Sequence, residues 1–299
     1  PKGNPIKDPA YKIFIDNNFQ QKIDEFGYLI LNLNDVDIIH KIKTLYNKTI
    51  INNNKTDLYE SSRNNTAEIN NYINQKLKLI IQPEAEKLFN NSKFYGGTFM
   101  VKTNKFTTEL PLHQDWNIVN ELQDVVYLIW IPIQDVDENN GTLFLIEKSH
   151  LLFENYRSGS SPSIRISRQF LPKEKIKTIQ LKVGEYLIYN PAIFHGSYKN
   201  KQKQERVVAT AMVTNTGAAL TYYHKIDNNN ITAYKLSSSS YLNDITQIAN
   251  GQVPKNAILL ETLQNKITSI DKNMLLNKLN IKYGFKEKIS RYINAIIYK

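Results

Sequence analysis

The segment Leu112-His113-Gln114-Asp115-Trp116 sets an imidazole and a carboxylate two residues apart. On a β-strand that spacing turns both side chains to one face, where a single metal ion can take them together. Alone the triplet is weak, since His-x-Asp arises often by chance as a surface polar pair. A second segment changes its meaning: Asn190-Pro191-Ala192-Ile193-Phe194-His195-Gly196-Ser197 puts a histidine in an otherwise apolar strand beside a glycine. By itself His195 reads as a satisfied core residue. Two histidines and one carboxylate together, however, make the facial triad that leaves three adjacent positions of a non-haem Fe(II) open for a bidentate cosubstrate and dioxygen.

Arg206 opens the apolar strand Arg206-Val207-Val208-Ala209-Thr210-Ala211-Met212-Val213. A guanidinium buried there without an anion is costly, so it needs a partner. A cosubstrate carboxylate would meet it with two charge-assisted bonds; a carboxylate of the protein is the competing partner.

These residues need a rigid mount, and the pattern from 94 to 213 supplies short strands. The run Val125-Val126-Tyr127-Leu128-Ile129-Trp130-Ile131 is too apolar for a half-exposed strand and reads as covered on both faces, ended by Pro132. Gly141 to Ile146 is a second strand, Ile179, Leu181 and Val183 alternate in a third, and Tyr186 to Tyr189 follows the turn at Gly184. Many strands at short spacing with no helix between them indicate a sandwich or barrel. Before them, Ile38, Ile39, Ile42, Leu45 and Tyr46 recur at helical spacing, as do Ile69, Tyr72, Ile73, Leu77 and Ile80. Residues 52–65 read as a loop, and Pro83 as the start of a further helical turn. After the barrel come a polar stretch at 237–240 and an amphipathic helix carrying Leu275, Leu276 and Leu279, then Ile289, Tyr292, Ile293, Ile296 and Ile297. The expectation is a single catalytic domain over 1–299: a helical N-terminal buttress at 1–93, a β core at 94–215 and a C-terminal helical extension at 216–299.

Composition narrows the classes. The 299 residues, 41% hydrophobic and 11% aromatic, fit a globular chain. The absence of cysteine excludes disulfides, zinc–thiolate sites and a cysteine nucleophile. The first residues carry no apolar signal region and no stretch of about 20 apolar residues follows, so a soluble, cytoplasmic protein without a membrane partner is expected. A net charge of +10 offers a basic nucleic-acid-binding protein as an alternative, but no aromatic-basic interleaving or groove-reading helix accompanies the charge. A non-catalytic metal-binding β-barrel would account for the triad and leave Arg206 without a purpose.

Taken together, the blocks His113-Gln114-Asp115-Trp116, Asn139-Asn140-Gly141-Thr142-Leu143 leading to Lys148-Ser149-His150, Val183-Gly184-Glu185, and His195-Gly196-Ser197 followed by Asn200 and Arg206 resemble the phytanoyl-CoA dioxygenase family of Fe(II)/2-oxoglutarate oxygenases. The resemblance covers residues 94–213. It implies a double-stranded β-helix (jelly-roll, cupin-like) core, Fe(II) held by His113, Asp115 and His195, and 2-oxoglutarate held at its distal carboxylate by Arg206. It further implies that the Ser197 hydroxyl assists Arg206 and that Trp130 lines the cosubstrate pocket, with core packing as the competing role for Trp130. Lys102 reads as an exposed strand lysine, with contact to the cosubstrate as the competing role. Asp115 favours hydroxylation, because related halogenases keep a small residue in its place. The implied partners are dioxygen and a small organic substrate, anionic or carrier-linked, with no nucleic acid. The sequence departs from the family at Glu147-Lys148, where Pro-Gly is usual. Arg157, Arg165 and Arg168 fall in the segment 150–172, which reads either as a lid recognising an anionic substrate group or as a solvated loop with incidental charge.

Overall fold

Val126-Tyr127-Leu128-Ile129-Trp130-Ile131-Pro132 is apolar throughout because both its faces are covered, Leu128 alone being partly exposed. The strand lies inside a sheet that is itself sandwiched. The computed structural model describes residues 11–50, 58–104, 109–264 and 270–281. Its N-terminal part comprises α1 (Asn17–Phe26), β1 (Tyr28–Asn32), α2 (Asp37–Thr49), β2 (Leu58–Glu60), α3 (Ser61–Asn64) and α4 (Ala67–Ala85). The β-rich middle runs through β3 (Ser92–Tyr95), β4 (Phe99–Lys102), β5 (Leu110–His113), β6 (Val126–Pro132), β7 (Leu143–Leu145), β8 (Lys177–Thr178), β9 (Glu185–Tyr189), β10 (His195–Ser197) and β11 (Arg206–Asn215). There follow β12 (Thr221–Lys225), β13 (Asn230–Lys235), α5 (Ser238–Asn243), α6 (Ile245–Ala249), β14 (Ile258–Gln264) and α7 (Lys272–Lys278).

The larger sheet has the order β1-β9-β6-β11-β4-β2, with β3 also on β11, and the smaller is β5-β10-β7-β8. Pairing is antiparallel in both. Alternation along the strands divides the larger sheet into two faces. Val207, Ala209, Ala211 and Val213 join Tyr127, Ile129, Ile131 and Ile188 on the outer face, packed on Ile23, Ile42, Ile73 and Leu77 of the helices. Trp130, Leu187 and Val208 point the other way and meet Leu143 and Leu145 of the smaller sheet. The outer face of the smaller sheet, with Phe144, is covered by Ile166 and Leu171 and by Leu275 and Leu276 around α7. Two antiparallel sheets facing each other in this way form the double-stranded β-helix, as the strand pattern and the resemblance imply.

Several expectations for the ends are corrected. The N-terminal buttress also supplies β1 and β2, both strands of the larger sheet. Each is short, so its alternation is too brief to stand out beside the helical periodicity around it. Within the expected loop at 52–65, β2 and α3 are formed. Pro83 lies inside the last turn of α4 rather than at a helix start. The alternation at 179–183 yields only a bridge between Leu181 and Val136, leaving Val183 exposed. The C-terminal region is not simply helical: β12, β13 and β14 make a three-stranded sheet. Its signal is present in Thr221-Tyr222-Tyr223 and Ile231-Thr232-Ala233-Tyr234, β-formers flanking a turn in which the Asp227 carboxylate accepts from the Asn229 and Asn230 amides. Of the expected final helix, α7 is formed, and Ile289 to Ile297 lie outside the described residues. Among the described residues no helix is long and apolar enough to cross a membrane.

Candidate metal centre

His113 ends β5 and His195 begins β10, and the two stand directly opposite in the antiparallel register. Their rings lie 4.5 Å apart. Each ring is oriented from behind, with His113 Nδ1 2.9 Å from the Pro111 carbonyl and His195 Nδ1 3.0 Å from the Ile193 carbonyl. A proton on each Nδ1 donates to that oxygen and leaves the Nε2 lone pair facing inward, the usual arrangement behind a ligating histidine. Asp115 lies just past the strand, its N–H donating to the Pro191 carbonyl at 2.9 Å and its own carbonyl accepting from Arg157 Nε at 2.7 Å. Asp115 Oδ1 is 3.8 Å from His113 Nε2, and Oδ2 is 3.6 Å from His195 Nε2. Two ligands at about 2.1 Å from one ion span at most about 4.2 Å, so both separations suit a shared cation. Burial, then the neighbouring His195, pushes His113 down to about 4, which keeps it in the neutral form that metals bind. Tyr189, on β9, donates its hydroxyl to Asp115 Oδ2 at 3.1 Å.

Beside the triad lies a cationic pocket. Arg206 is 2% exposed, and its Nε and Nη1 are buried with no hydrogen-bond partner. Its guanidinium lies 5.4 Å from the centre of the buried Trp130 ring, and burial pushes its pKa down to about 10. Lys102 stands directly opposite Arg206 across β4 and β11. It is 0% exposed, so the expectation of a surface lysine is corrected. Its ammonium donates to Ser197 Oγ at 2.8 Å and to the Ser197 and Tyr198 carbonyls, while burial, then Arg206, pushes it down to about 6. Ser197 and Trp130 are thus both in this pocket, Ser197 touching Lys102 and Trp130 lying under Arg206. Orphaned guanidinium nitrogens beside a buried lysine fit the carboxylate of a dicarboxylic cosubstrate.

The segment at 150–172 divides. Arg157 is 1% exposed and pairs with Glu121 at 2.6 Å, while Arg168 meets Glu109 through Nη2 at 2.7 Å and Nε at 3.2 Å. Both are committed to carboxylates of the protein, which corrects their expected role in substrate recognition. Arg165 is exposed and close enough to His113 to oppose its protonation. His150 is structural: its Nε2 is 3.1 Å from the Asp24 carbonyl and burial pushes it down to about 4. His40 and His224 lie outside the cluster. Sequence reading missed a rim near Asp115. There Glu60 pairs with Arg63 at 2.8 Å, Arg63 lies 5.6 Å from the Trp116 ring centre, and Tyr241 comes from α5. Burial raises both the Glu60 carboxyl and the Tyr241 phenol, and the Asp115 charge adds to both.

Two histidines and a carboxylate set at one end of a jelly-roll, with a buried and unneutralised arginine behind them, define the class of metal-dependent oxygenases that use a 2-oxo acid. The chain belongs to the phytanoyl-CoA dioxygenase family, whose model matches residues 20–208. It is therefore a non-haem Fe(II)- and 2-oxoglutarate-dependent oxygenase, and the match reaches back through the N-terminal helices and strands as well as the core. Among curated proteins no match is found. Similar solved structures include HygX from Streptomyces hygroscopicus with nickel and 2-oxoglutarate bound, at TM-score 0.49 and 12% identity over 68% of this chain and 88% of HygX. Another is the non-haem alpha-ketoglutarate-dependent carbocyclase SnoK from nogalamycin biosynthesis, at 0.48 and 13% over 81% and 94%. A third is EvdO2 from Micromonospora carbonacea var. aurantiaca, at 0.47 and 12% over 67% and 91%.

Proposed function

We propose that His113, Asp115 and His195 hold Fe(II), that Arg206 holds the distal carboxylate of 2-oxoglutarate with Ser197, Lys102 and Trp130 around it, and that the enzyme hydroxylates a small organic substrate in the cytoplasm. The observation that carries this reading is the buried Arg206, whose Nε and Nη1 have no partner. When bound, Fe(II) supplies dioxygen activation: 2-oxoglutarate is decarboxylated to succinate and carbon dioxide, taking up one oxygen atom, and the other enters a C–H bond of the substrate.

The chain's own residues do the positioning. The backbone carbonyls of Pro111 and Ile193 hold the Nδ1 protons so that both imidazoles present Nε2. Arg206 and Lys102 fix the cosubstrate by one end, leaving its 2-oxo acid end free to reach the ligand set. Trp130, Leu187 and Val208 keep the inside of the barrel dry, which strengthens these charge contacts. At the rim, exposed Arg165 serves an anionic group of the substrate, and Tyr241 brings the C-terminal segment into the same catalytic unit.

The test is an anaerobic titration with Fe(II) and 2-oxoglutarate, followed by succinate measurement after oxygen is admitted with candidate substrates. One Fe(II) per chain and oxygen-dependent succinate are expected. A His113→Ala protein that retains the wild-type iron stoichiometry and turnover would overturn the ligand assignment.

A further inference from the structure

Tyr189 ends β9 in register with Leu128 of β6, on the face of the larger sheet that carries Trp130 and Leu187. Its hydroxyl is 3.1 Å from Asp115 Oδ2, and its ring centre is 5.2 Å from that of His195 at an interplanar angle of 60°. One side chain therefore touches two members of the triad. Among the described residues, this phenol is the hydrogen-bond donor that reaches the Asp115 carboxylate. The carboxylate needs such a restraint, because Asp115 lies two residues beyond the end of β5 and is otherwise held by backbone bonds alone. A carboxylate free to turn can chelate an ion through both oxygens, occupying a coordination position that the cosubstrate or dioxygen requires.

We infer that Tyr189 is the positioning residue of the metal centre: its hydroxyl holds Oδ2 and so fixes the rotation of the Asp115 carboxylate, while its ring limits rotation of the His195 imidazole. The inference rests on the proposed triad. Phenylalanine at 189 would fill the same space and leave the carboxylate free to turn.

Cobalt(II) is the probe, since its visible absorption reports coordination number without turnover. Anaerobic titration of Tyr189→Phe should show affinity about 10- to 100-fold below wild type, the usual effect of removing a partner behind a ligand. Its cobalt band should weaken and shift as the carboxylate becomes chelating, while thermal unfolding of the metal-free protein stays near wild type. Unchanged affinity and band in a folded Tyr189→Phe protein overturn the inference and leave the triad standing. Failure of the wild type to bind one cobalt, or His113→Ala binding it equally well, overturns the triad and this inference with it. If Tyr189→Phe does not fold, ring-fluorinated tyrosine at 189 keeps the shape and strengthens the donor. A moved cobalt band then supports the inference, and an unmoved one overturns it.

Discussion

Arg206 is in the wrong place for stability and in the right place for binding an acid. Two of its nitrogens lie buried without acceptors, an arrangement that costs the empty protein free energy. Arg206→Met should therefore raise the unfolding midpoint of the metal-free protein, with a gain of about 1–4 kcal/mol, the range seen when buried ionic groups give way to apolar ones. The same change should weaken 2-oxoglutarate binding by about 2–5 kcal/mol, measured anaerobically, because a buried carboxylate loses its partner. Arg206→Lys should recover only part of that loss, since an ammonium lacks the planar fork. Lys102 adds a pH dependence. With its pKa pushed down to about 6 in the empty site against 10.5 in the unfolded chain, it gives up its proton in the fold while the unfolded chain keeps one. Its penalty on stability is full below about 6 and fades as pH rises towards 10.5. An arriving dicarboxylate restores the charge, so 2-oxoglutarate binding at about pH 8 should take up as much as one proton and weaken as pH rises. Calorimetric titration in two buffers of different ionisation heat measures the uptake, and no uptake would mean that Lys102 stays charged in the empty pocket.

At the scale of elements, the departure from the family at Glu147-Lys148 has a local cost. Lys148 adopts φ 64°, a left-handed conformation that glycine takes freely and a lysine does not. Lys148 N donates to the Phe26 carbonyl and its ammonium reaches Glu25, which ties this turn to the end of α1. Because the ion pair is half exposed, Lys148→Gly should be stabilising by about 1 kcal/mol, read from denaturant unfolding. The supporting segment behind Asp115 should respond the other way. Glu121→Ala leaves Arg157 buried without its carboxylate, so a loss of about 3 kcal/mol is expected, with weaker metal binding because Arg157 also holds the Asp115 carbonyl. Strands such as β6 and β11 were legible because apolar runs of that length have no other use, whereas β1 and β2 were too short to carry a period. The triad was legible because its residues repeat a known family pattern, although Asp115 lies beyond β5 and not on the strand face that the spacing suggested. The burial of Lys102 and the place of Tyr189 were not, since each depends on the residue opposite or beside it on another strand, and register is absent from one-dimensional spacing.

Across the whole molecule, the C-terminal sheet was missed because its position depends on docking: Tyr222 and Leu236 pack with Ile118, Met212 and Ile248 rather than in a core of their own. That docking brings Tyr241 to the rim, so the metal centre draws on both flanks of the family core. His113 and His195 have a second role that follows from facing each other across β5 and β10, where the register shifts between His195 and Ser197. An ion bound by both is a cross-link between neighbouring strands at the point where their hydrogen-bond ladder is irregular. A cation present at about a hundredfold excess over its dissociation constant adds about 2.7 kcal/mol to the folded state. Amide hydrogen exchange, compared between zinc-loaded and chelator-treated protein, should therefore slow most around Leu112, His113 and His195 and hardly at all in β12 and β13. With an ion bound as proposed, the centre would act as a latch on the smaller sheet, and its loss would leave the protein easier to open at those strands.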